Sequence, residues 1–135
     1  MHILIIDNDL RWVNFMSKIL EVEGHHVKTI TDNIKLHWNE EMSKFDLIFY
    51  DSKAFKEDQK ALGKLIIDRI FDRVIVTAAL PNYKDAMFAK RHGAIDYINK
   101  AYDYDEIVEI IDTNINKVPI SREYLKERLE EEKCL

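Results

Sequence analysis

The chain has 135 residues, 33% charged and 47% hydrophobic, with a formal net charge of −5. That length suits one domain with a core of its own, and the acid excess excludes a sequence-independent grip on nucleic acid. The single cysteine, Cys134, excludes an internal disulfide framework and a cysteine-based zinc cluster.

The run Ile3 to Ile6 is wholly apolar and reads as a strand buried on both faces. It is too short for a signal peptide, and nowhere do about 18 apolar residues run together to span a membrane. A reducing cytoplasm is the expected address. Asp9 to Glu23 sets Trp12, Val13, Met16, Ile19 and Leu20 on one helical stripe, with Gly24 as the stop. His26 to Ile30 is a weaker second strand, and Asn33 to Met42 a short helix. Phe45 to Tyr50 is the third strand, with Asp46 inside it. Lys60 to Ile70 repeats Leu62, Leu65, Ile66 and Ile70 at helical steps. Val74 to Val76 is the fourth strand, and Asn82 to His92 a helix framed by Pro81 and Gly93. Ile95 to Ile98 is the fifth strand. Asp103 to Ile115 is the fifth helix, with Asp105 and Glu106 near the positive end of its dipole.

Five β–α units in series predict an α/β fold, a five-stranded parallel doubly wound sheet with helices on both sides. The domain covers 1–117. A C-terminal helical extension covers 118–135, where Tyr124, Leu125 and Leu129 line one side of a charged stretch from Ser121 to Lys133. That extension docks on the domain, pairs with a partner, or begins a linker.

In such a sheet, ligands bind outside the carboxyl ends of the strands. Asp7, Asn8 and Asp9 follow the first strand, Asp51 the third, Thr77 the fourth and Lys100 the fifth. Asp after a strand often caps the next helix, and Asp9 suits that role before Trp12. Carboxylates gathered at one edge repel each other unless a cation joins them. Mg²⁺ suits such a set, because it binds one or two carboxylates together with phosphate oxygens. An aspartate beside it is a competent nucleophile toward phosphorus. No Gly-rich phosphate loop is present, which argues against a nucleoside-triphosphate site. Trp12 and Trp38 read as packing residues, the His25-His26 pair as no metal site, and Cys134 as a bystander.

The segments His2-Ile3-Leu4-Ile5-Ile6-Asp7-Asn8-Asp9, Phe45-Asp46-Leu47-Ile48-Phe49-Tyr50-Asp51, Val74-Ile75-Val76-Thr77-Ala78 and Gly93-Ala94-Ile95-Asp96-Tyr97-Ile98-Asn99-Lys100 resemble the response-regulator receiver domain of two-component signalling in order and spacing. The resemblance covers roughly residues 2–117 and implies the flavodoxin-like receiver fold. It also implies phosphorylation of Asp51 by the phosphohistidine of a histidine kinase or phosphotransfer protein. Mg²⁺ is expected near Asp7 and Asp51, with Asn8, the Lys53 backbone carbonyl and Asp9 as further candidate ligands. Lys100 would contact the phosphoryl group. Thr77 and Tyr97 would form the switch pair, reporting to the face of the fourth helix, fifth strand and fifth helix. That face would serve a downstream protein target or a homodimer, and no output domain for nucleic acid or membrane is visible.

The departures from the family pattern are specific. Asn8 stands where the family has a second acidic residue, and a neutral amide weakens Mg²⁺ binding. Lys53 is placed to fold its ammonium onto Asp51. The Pro and Gly usual after the phosphorylated aspartate are absent, with Phe55 and the run Lys56-Glu57-Asp58 instead. Ala101 replaces the proline after Lys100, which makes the preceding bond trans, because a cis non-proline bond costs about 2.5–4 kcal/mol. These departures motivate a second reading, a pseudo-receiver that binds partners without phosphorylation. A remote third is a haloacid-dehalogenase-like phosphatase, whose strand-plus-Asp-x-Asp motif Asp7-Asn8-Asp9 fits literally.

Overall fold

The computed structural model describes residues 1–31, 44–62 and 73–115. The expected helix at Asn33 to Met42, most of that at Lys60 to Ile70, the boundary near Lys117 and the C-terminal extension lie outside them. The elements are β1 (His2–Ile6), α1 (Leu10–Val22), β2 (His26–Ile30), β3 (Leu47–Asp51), α2 (Ser52–Leu62), β4 (Val74–Ala78), α3 (Tyr83–Arg91), β5 (Asp96–Asn99) and α4 (Tyr104–Ile115). All strand pairings are parallel, and the strand order is β2-β1-β3-β4-β5. This is a doubly wound, flavodoxin-like sheet.

Alternation along each strand divides the core between two layers. Ile3, Ile5, Leu47, Phe49, Ile75 and Ile98 face α1 and α4, meeting Trp12, Met16, Leu20, Ile107 and Ile111. Leu4, Ile6, Ile48, Tyr50, Val74 and Val76 face α2 and α3, meeting Phe55 and Ala89. Gly24 and Gly93 both hold φ of +88°, closing α1 and α3 in a backbone conformation that a side chain disfavours.

Strand ends differ from the sequence reading by a residue or two, and two of the differences, at β3 and at the helix after it, have a local reason. β3 begins at Leu47, because the buried Asp46 is spent on β1: its Oδ2 accepts from the His2 N–H at 2.8 Å. The helix after β3 begins at Ser52, directly behind the strand. The Asp51 carboxylate accepts from the Ala54 N–H at 3.2 Å and caps that helix. With no Pro or Gly to hold a loop open, the run Lys56-Glu57-Asp58 joins α2, whose Phe55 and Gln59 are buried four residues apart. The Lys100–Ala101 bond is trans.

The chain leaves β1 toward β2 on one side and reaches β3 on the other. The switch point of the winding therefore falls between the carboxyl ends of β1 and β3, where the sheet opens a crevice.

Candidate functional site

Strand parity assembles the site. Asp7 continues the Ile3–Ile5 row, Asp51 the Leu47–Phe49 row, Thr77 follows Ile75, and Lys100 follows Ile98. Two-residue alternation puts all four on the face that α1 and α4 cover. Asp51 and Thr77 are direct partners in the β3–β4 register.

The Lys100 ammonium bridges the two carboxylates, 2.6 Å from Asp7 Oδ2 and 2.9 Å from Asp51 Oδ1. The side chains are 9% exposed for Lys100, 0% for Asp7 and 17% for Asp51, so Asp51 is the carboxylate open to the outside. Each carboxylate spends its other oxygen on a backbone donor: Asp7 Oδ1 accepts from Asp9 N–H at 2.9 Å, and Asp51 Oδ2 from Ala54 N–H. The buried Asp7 Oδ2 meets the Lys100 ammonium at 2.6 Å, a close ion pair inside the crevice. Burial pushes the Asp7 carboxyl above its usual range, against the opposing pull of Lys100. Burial also works against the Lys100 charge, yet Asp7 and Asp51 outweigh it and hold the ammonium above its ordinary value.

Thr77 is 0% exposed, and among the described residues its hydroxyl has no hydrogen-bond partner. A buried polar atom left unpaired costs roughly 1–3 kcal/mol. Thr77 carries that cost at the strand tip, in register with Asp51.

The remaining candidates are placed as follows. Asn8 is exposed at the mouth of the crevice. Asp9 caps α1, its Oδ1 accepting from Trp12 N–H at 3.3 Å. That employment withholds the second carboxylate of the phosphatase reading. Lys53 is exposed in the first turn of α2, where helix geometry directs its carbonyl along the axis toward the C-terminal end. The ammonium seated between the carboxylates is thus that of Lys100. Tyr97 is half-buried on the opposite sheet face from Thr77, packed with the α2–α3 layer. Its Oη accepts from the Asn82 N–H at 3.3 Å.

Two participants escaped the sequence reading. Trp12 packs in the core, but its ring also lies 5.4 Å from the Lys100 ammonium and walls the crevice. Its place as the first buried residue of α1, nearest the tip of β1, was the available signal. Lys56 pairs with Asp85 at 2.5 Å and joins α2 to α3. Asp85 in turn accepts from the Asn82 side chain at 2.9 Å, which continues the contacts to Tyr97. Only the fold could reveal that pairing.

No protein-family model matches the chain, and no curated protein does. Solved structures match throughout the domain. A CheY-like response regulator receiver domain protein from Methanospirillum hungatei is 20% identical, with a TM-score of 0.63, over 86% of this chain and 94% of that one. The BeF3-activated N-terminal receiver domain of Klebsiella pneumoniae RstA is 13% identical, with a TM-score of 0.65, over 85% of this chain and 98% of that one. A receiver domain protein from Clostridium thermocellum is 20% identical, with a TM-score of 0.65, over 86% of this chain and 94% of that one. The chain has the response-regulator receiver fold. Among the described residues, no helix is long and apolar enough to cross a membrane.

Proposed function

We propose that this chain is a phosphoacceptor switch in which Asp51 takes a phosphoryl group from the phosphohistidine of a kinase or phosphotransfer protein. The observation that carries the reading is the buried Thr77 hydroxyl, unpartnered among the described residues and in register with Asp51. Asp51 is the more exposed carboxylate and supplies the nucleophilic oxygen. Lys100 neutralises the incoming charge, and the Thr77 hydroxyl donates to a phosphoryl oxygen. The chain acts as a signalling domain and not as a turnover enzyme. Its readout is the face of α3, β5 and α4 around Tyr97, offered to a downstream protein or a second copy in the cytoplasm.

A divalent cation fits the crevice by its donor chemistry. The buried Asp7 and the more open Asp51 present carboxylate oxygens to the same ammonium, and hard oxygens of one or two carboxylates are what Mg²⁺ takes. Asp7 and Asp51 would hold it, with the neutral Asn8 amide at the mouth. Bound there, it supplies positive charge to the phosphoryl group.

The test is intact-mass spectrometry after incubation with acetyl phosphate and Mg²⁺. One phosphoryl increment is expected, and it disappears in Asp51→Asn. The Klebsiella pneumoniae receiver described above is BeF3-activated, and beryllofluoride is the matching probe. No increment and no beryllofluoride response would refute the reading.

One observation favours the second reading, a phosphorylation-independent interaction module: both Asp51 oxygens already have donors, Lys100 and Ala54. It predicts partner binding indifferent to Asp51→Ala and no heat of Mg²⁺ binding by calorimetry.

A further inference from the structure

We propose that the amino end of α2, together with Lys100, neutralises a phosphoryl group on Asp51, so that this chain accepts phosphate with divalent cations removed. The inference rests on the phosphoacceptor reading and adds to it the source of the neutralising charge.

Four observations lead there. α2 follows Asp51 with no intervening residue and runs eleven residues, so Asp51 sits at the positive end of a full helix dipole. That end carries about half an elementary charge and several N–H groups without intrahelical partners. One of those donors, the Ala54 N–H, already points at the Asp51 carboxylate. The second observation is the Thr77 hydroxyl, fully buried, without a hydrogen-bond partner among the described residues, and on the sheet face of Asp51. Lys100 comes third, 2.9 Å from Asp51 Oδ1 and nearly buried, where its charge is little screened. The fourth is the thinness of the cation's ligand set. Asn8 is neutral and exposed, the Asp9 carboxylate caps α1, and the Lys53 carbonyl follows the α2 axis. Anions bind at helix N-termini through such N–H groups. A phosphorylated aspartate there gains donors in place of the metal it would otherwise share.

The step balances without a metal. An Asp51 carboxylate oxygen forms a bond to phosphorus, the bond from phosphorus to the acetate oxygen of acetyl phosphate breaks, and acetate leaves with the electron pair. No proton moves. The phosphoryl group carries about −1.5 to −2 charge beside the helix end and Lys100, in place of the carboxylate's single charge.

The experiment follows phosphorylation of the whole chain by intact mass, with acetyl phosphate in millimolar Mg²⁺ or in excess EDTA. The expected result is the same increment in both, with Mg²⁺ adding to the rate and not deciding whether the reaction occurs. An increment in Mg²⁺ alone overturns this proposal and leaves the phosphoacceptor reading standing. No increment in either condition overturns the reading itself. Ala54→Pro removes one donor at a first-turn position that tolerates proline. With folding checked by circular dichroism, it should slow the EDTA reaction about tenfold or more, as loss of an oxyanion donor does. An unchanged EDTA rate in that variant removes the helix from the account. Thr77→Val, nearly the same shape without the hydroxyl, should slow the EDTA reaction as well, and an unchanged rate there contradicts the part given to Thr77.

Discussion

The Lys100 ammonium lies 5.4 Å from the centre of the Trp12 ring while it bridges Asp7 and Asp51. A cation over an indole face at a nearly dry site gains up to about 2 kcal/mol. The ring limits where Lys100 can go, so Trp12 is a positioning residue for the crevice as well as a core residue. Trp12→Leu should cost about 2–3 kcal/mol in packing and expose Lys100 to reductive methylation. Trp12→Phe, which keeps a ring, should restore much of that protection. Equal methylation rates in the two variants would show that packing alone fixes Lys100.

Asp9 is a cap, and its loss should read as one. Asp9→Ala removes the acceptor of Trp12 N–H and should lower stability by about 1 kcal/mol, measured by urea unfolding. Affinity for Mg²⁺, followed by calorimetry, should change little. A large loss of affinity would return Asp9 to the ligand set.

Asp7 gives the protein a signature in pH. Burial raises its folded carboxyl above the unfolded value, so its contribution to stability is full below the unfolded value and declines as pH rises through the folded one. Asp7→Asn keeps an acceptor for the Asp9 N–H and removes that decline. Its melting temperature relative to the parent should therefore rise from acid toward neutral pH. Lys100 works in the alkaline range: its folded value is raised, so its stabilisation is present below the ordinary lysine value and fades as pH climbs past the folded one. A parent and Asp7→Asn with parallel melting curves across acid pH would contradict the assignment.

The Lys56–Asp85 pair joins the helix behind Asp51 to the helix beside Tyr97. Lys56, with help from Asn82, holds the Asp85 carboxyl below its usual range. That stabilisation is present above the unfolded value and is lost as pH falls through the folded one. The pair is partly exposed, 31% for Lys56 and 22% for Asp85, so Lys56→Met should cost no more than about 1 kcal/mol. A carbon-detected NMR titration should show the Asp85 midpoint rising in the variant. An unmoved midpoint would mean the ion pair is not formed in solution.

The sheet was legible because its strands are short apolar runs, each ending in a polar residue at one edge. Asp7, Asp51, Thr77 and Lys100 could be collected from that punctuation, since the carboxyl ends of parallel strands lie at one edge; the strand order and shared face that bring them together came from the structure. The start of α2 was not legible. The family pattern suggests a loop there, and the charged run Lys56-Glu57-Asp58 looks like one, yet Asp51 itself caps the helix. Trp12 was read as core, which it is, but a sequence does not reveal which core ring lies under which ammonium. Pairings across the fold, such as Lys56 with Asp85, depend on helix placement and leave no local mark.

The central claim is that Asp51 carries the phosphoryl group, and chemical trapping tests it most directly. Borohydride reduces an acyl phosphate on aspartate to homoserine. After acetyl phosphate treatment, reduction and proteolysis, the account predicts homoserine at position 51 and unchanged aspartate at positions 7 and 9. Homoserine at another position, or none at all in a protein confirmed to be folded, would contradict it.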